Sequence, residues 1–261
     1  MNPCKPNEVQ EIFDYIEKDY GKCLYIYIDL YMYGLSNENF KVWTQRDLDG
    51  KIKCVITQYY SGVQVYSKDL NYDPKDVADK MIREDIKLVF GVKEAMDMLS
   101  PYLEGFDQEL GTVGQLKNFA DISTPDAYSA SEDEMSEIAA VVADDEGIGK
   151  PYGYESLYKQ FLERKQEGFG RNYILRDKET GKIICHAGTY AEIPPLAVIG
   201  GVITAPDYRG KGFSKPTLAS ICKELLAEGK DVFSFYYIPP AKRMHEAVGF
   251  EKIATWAKLY K

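Results

Sequence analysis

Gly200-Gly201-Val202-Ile203-Thr204-Ala205-Pro206-Asp207-Tyr208-Arg209-Gly210-Lys211-Gly212-Phe213-Ser214 reads as a strand, a tight turn and the start of a helix. Gly210 and Gly212 have no Cβ, so the backbone can bend sharply there and bring its N–H groups close to a bound group. Those N–H groups open a helix, where unpaired donors and the helix dipole both favour negative charge. Arg209, Lys211 and Lys215 add positive charge, and no acid stands between Tyr208 and Pro216. In a chain of 261 residues with a net charge of −9, this is a local anion cradle. Pro216 falls near the first helical turn, where its missing N–H costs little.

Outward from the cradle, strands and helices alternate. Strands are expected at 172–176, at 182–190 after the Glu179-Thr180-Gly181 turn, and at 197–204; a helix at 214–228, a strand at 232–237, a helix at 241–248 and a strand at 253–260 follow. Upstream, Ser131 and Glu134 have the spacing of a capping box that opens a helix running to 142. A Tyr- and Gly-rich loop, 148–154, leads into a helix over 155–166, and 116–122 reads as a strand. In the first half, Val9, Ile12, Phe13 and Ile16 lie at helical spacing. The β-branched and aromatic run 24–28 reads as a strand. Strands 40–45 and 52–60 join through Asp47-Leu48-Asp49-Gly50, whose ending favours a hairpin, and Ser61-Gly62 turns into 63–66. Asp73 and Pro74 are the N-cap and first residue of a helix. A strand at 86–90 and a helix at 92–103 precede the Gly- and acid-rich stretch 104–114, where the domain boundary is placed: 1–112 and 113–261. Strands alternating with helices after an antiparallel start make a mixed α/β chain.

Composition narrows the function classes. No apolar run approaches the roughly 20 residues that span a bilayer, and the N-terminus lacks the apolar core of a signal peptide. The five cysteines are scattered, odd in number and never spaced C-x-x-C, which suits reduced, buried thiols in a cytoplasmic protein. Two histidines make a His-rich metal centre an unsuitable reading, and no metal is expected. Net negative charge argues against nucleic acid. The 21 tyrosines suit amphipathic strands and aromatic-lined clefts but name no ligand.

The decisive segment resembles the GNAT acetyltransferase superfamily, whose pyrophosphate loop reads Gln/Arg-x-x-Gly-x-Gly/Ala. Arg209, Gly212 and Ser214 fill the three specified positions, Ser214 as a small-residue departure, and Thr204-Ala205-Pro206 matches the family's strand end. Met244-His245-Glu246-Ala247-Val248-Gly249-Phe250 looks like the family's Leu-Tyr-x-x-x-Gly-Phe. The resemblance covers roughly 116–261. It implies that the strands 197–204 and 232–237 splay apart to admit pantetheine. Backbone near Val202, Ile203 and Thr204 would then present the thioester, and Arg209, Gly210, Lys211, Gly212, Phe213 and Ser214 would hold the coenzyme A phosphates. Acetyl-CoA is the implied cosubstrate. Within the superfamily, the antiparallel first half and Tyr66-Ser67-Lys68-Asp69 look like glycine N-acyltransferase-type proteins.

The resemblance places the family's frequent acid, a Tyr, at His245; an imidazole donates a proton near neutral pH, and a histidine that packs or binds coenzyme A is the other reading. The Glu that several relatives carry on the strand before the loop is Val198 here, and Glu192 is the nearest carboxylate for a base, an exposed loop residue being the alternative. His186 reads as a core histidine, and Cys185 and Cys222 as core thiols. Tyr236 and Tyr237 end the second splayed strand, and strand alternation turns one of them away; Lys242 and Arg243 suit either the coenzyme A phosphates or solvent. The expected reaction is transfer of an acetyl or other acyl group to a primary amine of a small molecule or peptide, with a non-catalytic acyl-CoA sensor or interaction module as the rival. The first half repeats the order strand, strand, strand, helix, strand, helix, which reads as a degenerate copy of the same fold, an unrelated domain that extends the sheet being the alternative. Its counterpart of the loop, 67–74, lacks glycine and carries Asp69 and Asp73.

Overall fold

The computed structural model describes residues 1–150 and 152–261; Pro151, within the loop 148–154, lies outside the described residues. The chain forms two compact units, Met1–Val113 with Lys252–Lys261, and Gly114–Glu251. In chain order the first holds β1 (Asn2–Pro3), α1 (Val9–Ile16), α2 (Leu24–Tyr33), β2 (Phe40–Arg46), β3 (Ile52–Tyr59), β4 (Gly62–Tyr66), α3 (Pro74–Arg83), β5 (Leu88–Val92), α4 (Lys93–Leu99) and most of β6 (Asp107–Leu116). The second holds β7 (Tyr128–Ser129), α5 (Met135–Ala143), α6 (Tyr154–Glu167), β8 (Asn172–Arg176), β9 (Ile183–Ile193), β10 (Leu196–Thr204), α7 (Ser214–Ala227), β11 (Asp231–Tyr236), α8 (Pro239–Val248) and the start of β12 (Phe250–Tyr260).

Each unit is an antiparallel meander that turns parallel at its last crossover. In the first unit β2, β3 and β4 pair antiparallel, and α3 carries the chain to β5, parallel to β4. The rest of β12 closes this sheet, antiparallel to β5 from Trp256 opposite Val92 to Tyr260 opposite Leu88. In the second unit β8, β9 and β10 pair antiparallel, and α7 carries the chain to β11, parallel to β10. Apolar residues of α7 and α8 (Leu218, Ile221, Leu225, Val248) cover one face of that sheet with Ala197, Ile199 and Val232. Ile138, Leu157 and Phe161 of α5 and α6 cover the other, against Ile174 and Ile203.

Two sequence expectations are corrected. Residues 24–28 are helical, as the start of α2. Their alternation of aliphatic residues with tyrosines imitates a strand, yet both sets are packed: Leu24, Ile26, Ile28 and Leu30 are buried, and Tyr27 meets the rings of Phe13 and Tyr20 at 5.1 and 5.2 Å. With the aliphatic residues buried and Tyr27 held between rings, tertiary packing overrides strand propensity. The second correction is β6, a strand at 107–116, where a loop was expected to precede a strand at 116–122. Its first four residues, with Asp107 and Glu109, are exposed and its end, Val113 and Leu116, is buried, so the charges that suggested a linker lie at the exposed end of the strand.

Candidate active site

The parallel pairing of β10 with β11 runs from Leu196 opposite Asp231 only to Ile199 opposite Ser234. Beyond it β10 continues to Thr204 and β11 to Tyr236 without further paired residues, so the two strands part toward their C-terminal ends. At the same level the other edge of β10 is irregular. Tyr190 is an extra residue on β9, and one extra residue lies on β10 between Gly200 and Ile203. Bulges of this kind re-aim side chains and bend strands.

The bulges explain the glycine pair. The Tyr190 ring lies so close over Gly200 that a Cβ there would sit 2.2 Å from it, and Gly201 takes a φ of +60°, open to glycine at no steric cost. His186, at 1% exposure, bonds Gly201 O through Nδ1 at 2.6 Å and meets the side-chain amide of Asn172 through Nε2 at 2.8 Å. Burial lowers its pKa to about 4, so the ring is neutral. The Gly201 carbonyl can only accept, so Nδ1 carries the proton, and Nε2 accepts from the Asn172 amide turned to present its NH2. Arg164 of α6 stands over the Tyr190 ring at 5.6 Å.

After Thr204 the chain passes Tyr208 and enters the cradle. Gly210 and Gly212 have φ of +77° and +88°, with no atom within 4 Å of where a Cβ would point. The helix they lead into, α7, begins after Phe213 with no side chain capping it, so its first N–H groups are left for an outside acceptor. The Arg209 guanidinium donates from Nε to Thr204 O at 3.0 Å and from Nη2 to Asp145 at 3.1 Å. Lys211 Nζ rests 5.0 Å over the Tyr208 ring, whose hydroxyl donates to Asp177 at 3.1 Å. Asp145 comes from the segment after α5, so the loop carries a nearby acid that the local sequence does not reveal. Val202 packs toward the α7 face while Ile203 faces the α5 and α6 core.

The catalytic candidates are less well served. His245 is 2% exposed, with Nδ1 bonded to Ala241 O at 2.8 Å and Nε2 to Ser234 Oγ at 2.9 Å. Burial holds its pKa at about 4; the neutral ring gives its one proton to Ala241 and accepts from Ser234, leaving nothing to donate. Glu192 is buried rather than exposed, and opposes Ala197 at the start of β10, the end remote from the cradle. Burial pushes its carboxyl up, but Arg171 at 2.6 Å, Lys230 at 2.8 Å and Thr189 outweigh this and hold it below the usual range. A carboxylate so tied is a poor base. Val198 is wholly buried, and burial raises the Cys185 and Cys222 thiols. Lys242 is exposed, with Glu246 3.7 Å away.

Tyr236 turns inward and Tyr237 outward, 4% and 51% exposed. The Tyr236 ring stacks on His245 at 4.7 Å, and its hydroxyl has no hydrogen-bond partner among the described residues. Gly114 makes room for it: a Cβ there would lie 2.9 Å from the phenol oxygen. Sequence reading missed Tyr190 altogether; the mid-strand glycine pair was its signal, since such glycines mark close approaches.

The first unit lacks these openings. The α3 helix is capped by Asp73, whose carboxylate accepts from Lys75 N and Asp76 N at 3.0 and 3.3 Å, occupying the N-terminus that α7 leaves open. A Cβ on Gly91 of β5 would lie 2.7 Å from Val65 O of β4, so these parallel strands stay close beyond their last paired residues, Gln64 and Phe90.

A family model described as FR47-like protein matches residues 176–260. No curated protein matches. Among solved structures, a GNAT-family acetyltransferase from Colwellia psychrerythraea is similar at a TM-score of 0.66 and 12% identity, over 100% of this chain and 99% of its own. A GCN5-related N-acetyltransferase-like protein from Streptococcus suis is similar at 0.59 and 15%, over 98% and 99%. A tandem GNAT protein from the clavulanic acid biosynthesis pathway is similar at 0.59 and 12%, over 100% and 97%. The chain has the mixed α/β fold of the GNAT acetyltransferases, in a two-half arrangement with an FR47-like region in the second half.

Proposed function

We propose that the chain is an N-acetyltransferase that moves an acetyl group from acetyl-CoA to a primary amine, acting in the cytoplasm through its second half. One observation carries the reading: an uncapped helix N-terminus behind two left-handed glycines, at the end of a strand that parts from its parallel neighbour. The empty space at Gly210 and Gly212 and the N–H groups of α7 fit a pyrophosphate, and the gap beyond Ile199 and Ser234 fits a pantetheine arm. Val202, Ile203, Thr204 and residues 209–214 would hold acetyl-CoA, which when bound supplies an activated thioester. Arg209 also braces the loop through Thr204 O. With His245 neutral and committed, Tyr236 is the nearby side chain with an uncommitted proton, and we assign it the protonation of the departing thiolate. No carboxylate replaces Val198, so the acceptor amine loses its proton to solvent.

Incubation with acetyl-CoA and a panel of small-molecule and peptide amines, following free thiol, tests this. Acceptor-dependent thiol release is expected, and Tyr236→Phe should lower kcat about 10- to 100-fold with affinity for acetyl-CoA kept. A folded chain that binds acetyl-CoA but releases thiol with no amine supports the second reading, a non-catalytic acyl-CoA-binding module, which Val198 and the neutral His245 favour. The narrower resemblance to glycine N-acyltransferases rests on the antiparallel first half and residues 66–69, finds no support among the similar proteins, and names no acceptor.

A further inference from the structure

His186 takes no part in the mechanism above, yet it is buried at the level where β10 parts from β11, and its partner is a backbone carbonyl inside the bulge. Its ring lies on the α6 side of the sheet, 5.9 Å from Phe161. A trans peptide directs its C=O and N–H oppositely. With Gly201 O turned to His186 Nδ1, the N–H of the same peptide, that of Val202, is turned away from α6 and toward the α7 and α8 face, where Val202 itself packs. The φ of +60° at Gly201 makes this orientation possible, and Asn172 holds the far ring nitrogen, so the imidazole cannot swing out of register.

We propose that His186 is a positioning residue: by gripping the Gly201 carbonyl it aims the Val202 N–H at the thioester carbonyl of bound acetyl-CoA. The inference rests on the acetyl-CoA reading and assigns it a residue that faces α6 and acts through the backbone of β10. A fixed donor aimed at an oxygen that gains charge in the transition state acts on turnover far more than on ground-state affinity.

The test compares the wild-type chain with His186→Leu, which lacks the donor, and His186→Gln, which keeps one. Expected for His186→Leu is a 10- to 100-fold loss of kcat with affinity for coenzyme A within about threefold, and recovery of most of kcat in His186→Gln. In isotope-edited infrared spectra, the carbonyl stretch of bound [1-13C]acetyl-CoA should be lowered in the wild type and return toward its free value in His186→Leu. Should the leucine variant not fold, the wild-type chain still decides: the Val202 amide proton should move downfield with acetyl-CoA and not with coenzyme A. Equal kcat and equal stretch in wild type and His186→Leu, a parallel fall of kcat and coenzyme A affinity in both variants, or an unmoved Val202 resonance would each overturn the inference while leaving acetyl-CoA binding intact. No binding of acetyl-CoA by the wild-type chain overturns the functional reading and this inference together.

Discussion

Both histidines of the chain are buried and neutral, and that sets a pH signature. Each has a folded pKa of about 4 against an ordinary value of 6.5, so between those limits the unfolded chain takes up protons that the folded chain refuses. The stability they contribute is therefore complete above pH 6.5 and is lost as pH falls toward 4, by roughly 3 kcal/mol for each group. Urea midpoints should fall steeply from pH 6.5 to 4.5, and the imidazole C–H resonances of the native state should stay at neutral-form positions down to pH 5.5. A midpoint near 6.5 for either ring would show that it is open to solvent. The motif placed a titratable group at His245, but the sequence held no sign that Ser234 and Ala241 would use both of its nitrogens. His186, read as a core histidine, is one; what the sequence did not show is that its partner is the carbonyl inside a bulge.

At the scale of elements, the cradle, the strands around it and the capped α3 were legible because local chemistry dictates them: glycines with positive φ, an Asp before Pro74, a Gly ending α8. Less legible were features set by partners distant in sequence. Asp145 reaches Arg209 across 64 residues, and α2 is a helix because its tyrosines find other rings. The double bulge is of this kind. It predicts that Gly200→Ala, which puts a Cβ 2.2 Å from the Tyr190 ring, costs about 1–3 kcal/mol, seen as a lowered denaturant midpoint. Tyr190→Ala should recover most of that loss in the double variant. A Gly200→Ala chain as stable as wild type would mean that the ring does not lie across the strand.

Across the whole molecule, the two units repeat one plan: two helices, three antiparallel strands, a crossover helix, a parallel strand and a further helix. The order strand, strand, strand, helix, strand, helix was legible in the sequence, but not the second opening helix of the first unit, whose residues 24–28 read as a strand. Nor was the joining of residues 252–261 to the first unit, because pairing of β12 with β5 links residues more than 160 apart. Removing residues 252–261 should uncover β5 and make the first unit's sheet prone to edge pairing, read as fast amide exchange at Val89 and Phe90 and loss of solubility. Retained protection there would contradict the pairing. The features of the proposed site are not repeated, since α3 carries its own carboxylate where α7 is open, and β4 and β5 stay together where β10 and β11 part. Titration calorimetry of the intact chain with acetyl-CoA tests that asymmetry, and the site, most directly. One acetyl-CoA per chain is expected, with affinity at least tenfold weaker in a folded Gly212→Val variant, where φ of +88° strains any side chain and the new methyls would fill the space proposed for the phosphates. Two equivalent sites per chain, or an unchanged affinity in the folded variant, would contradict it.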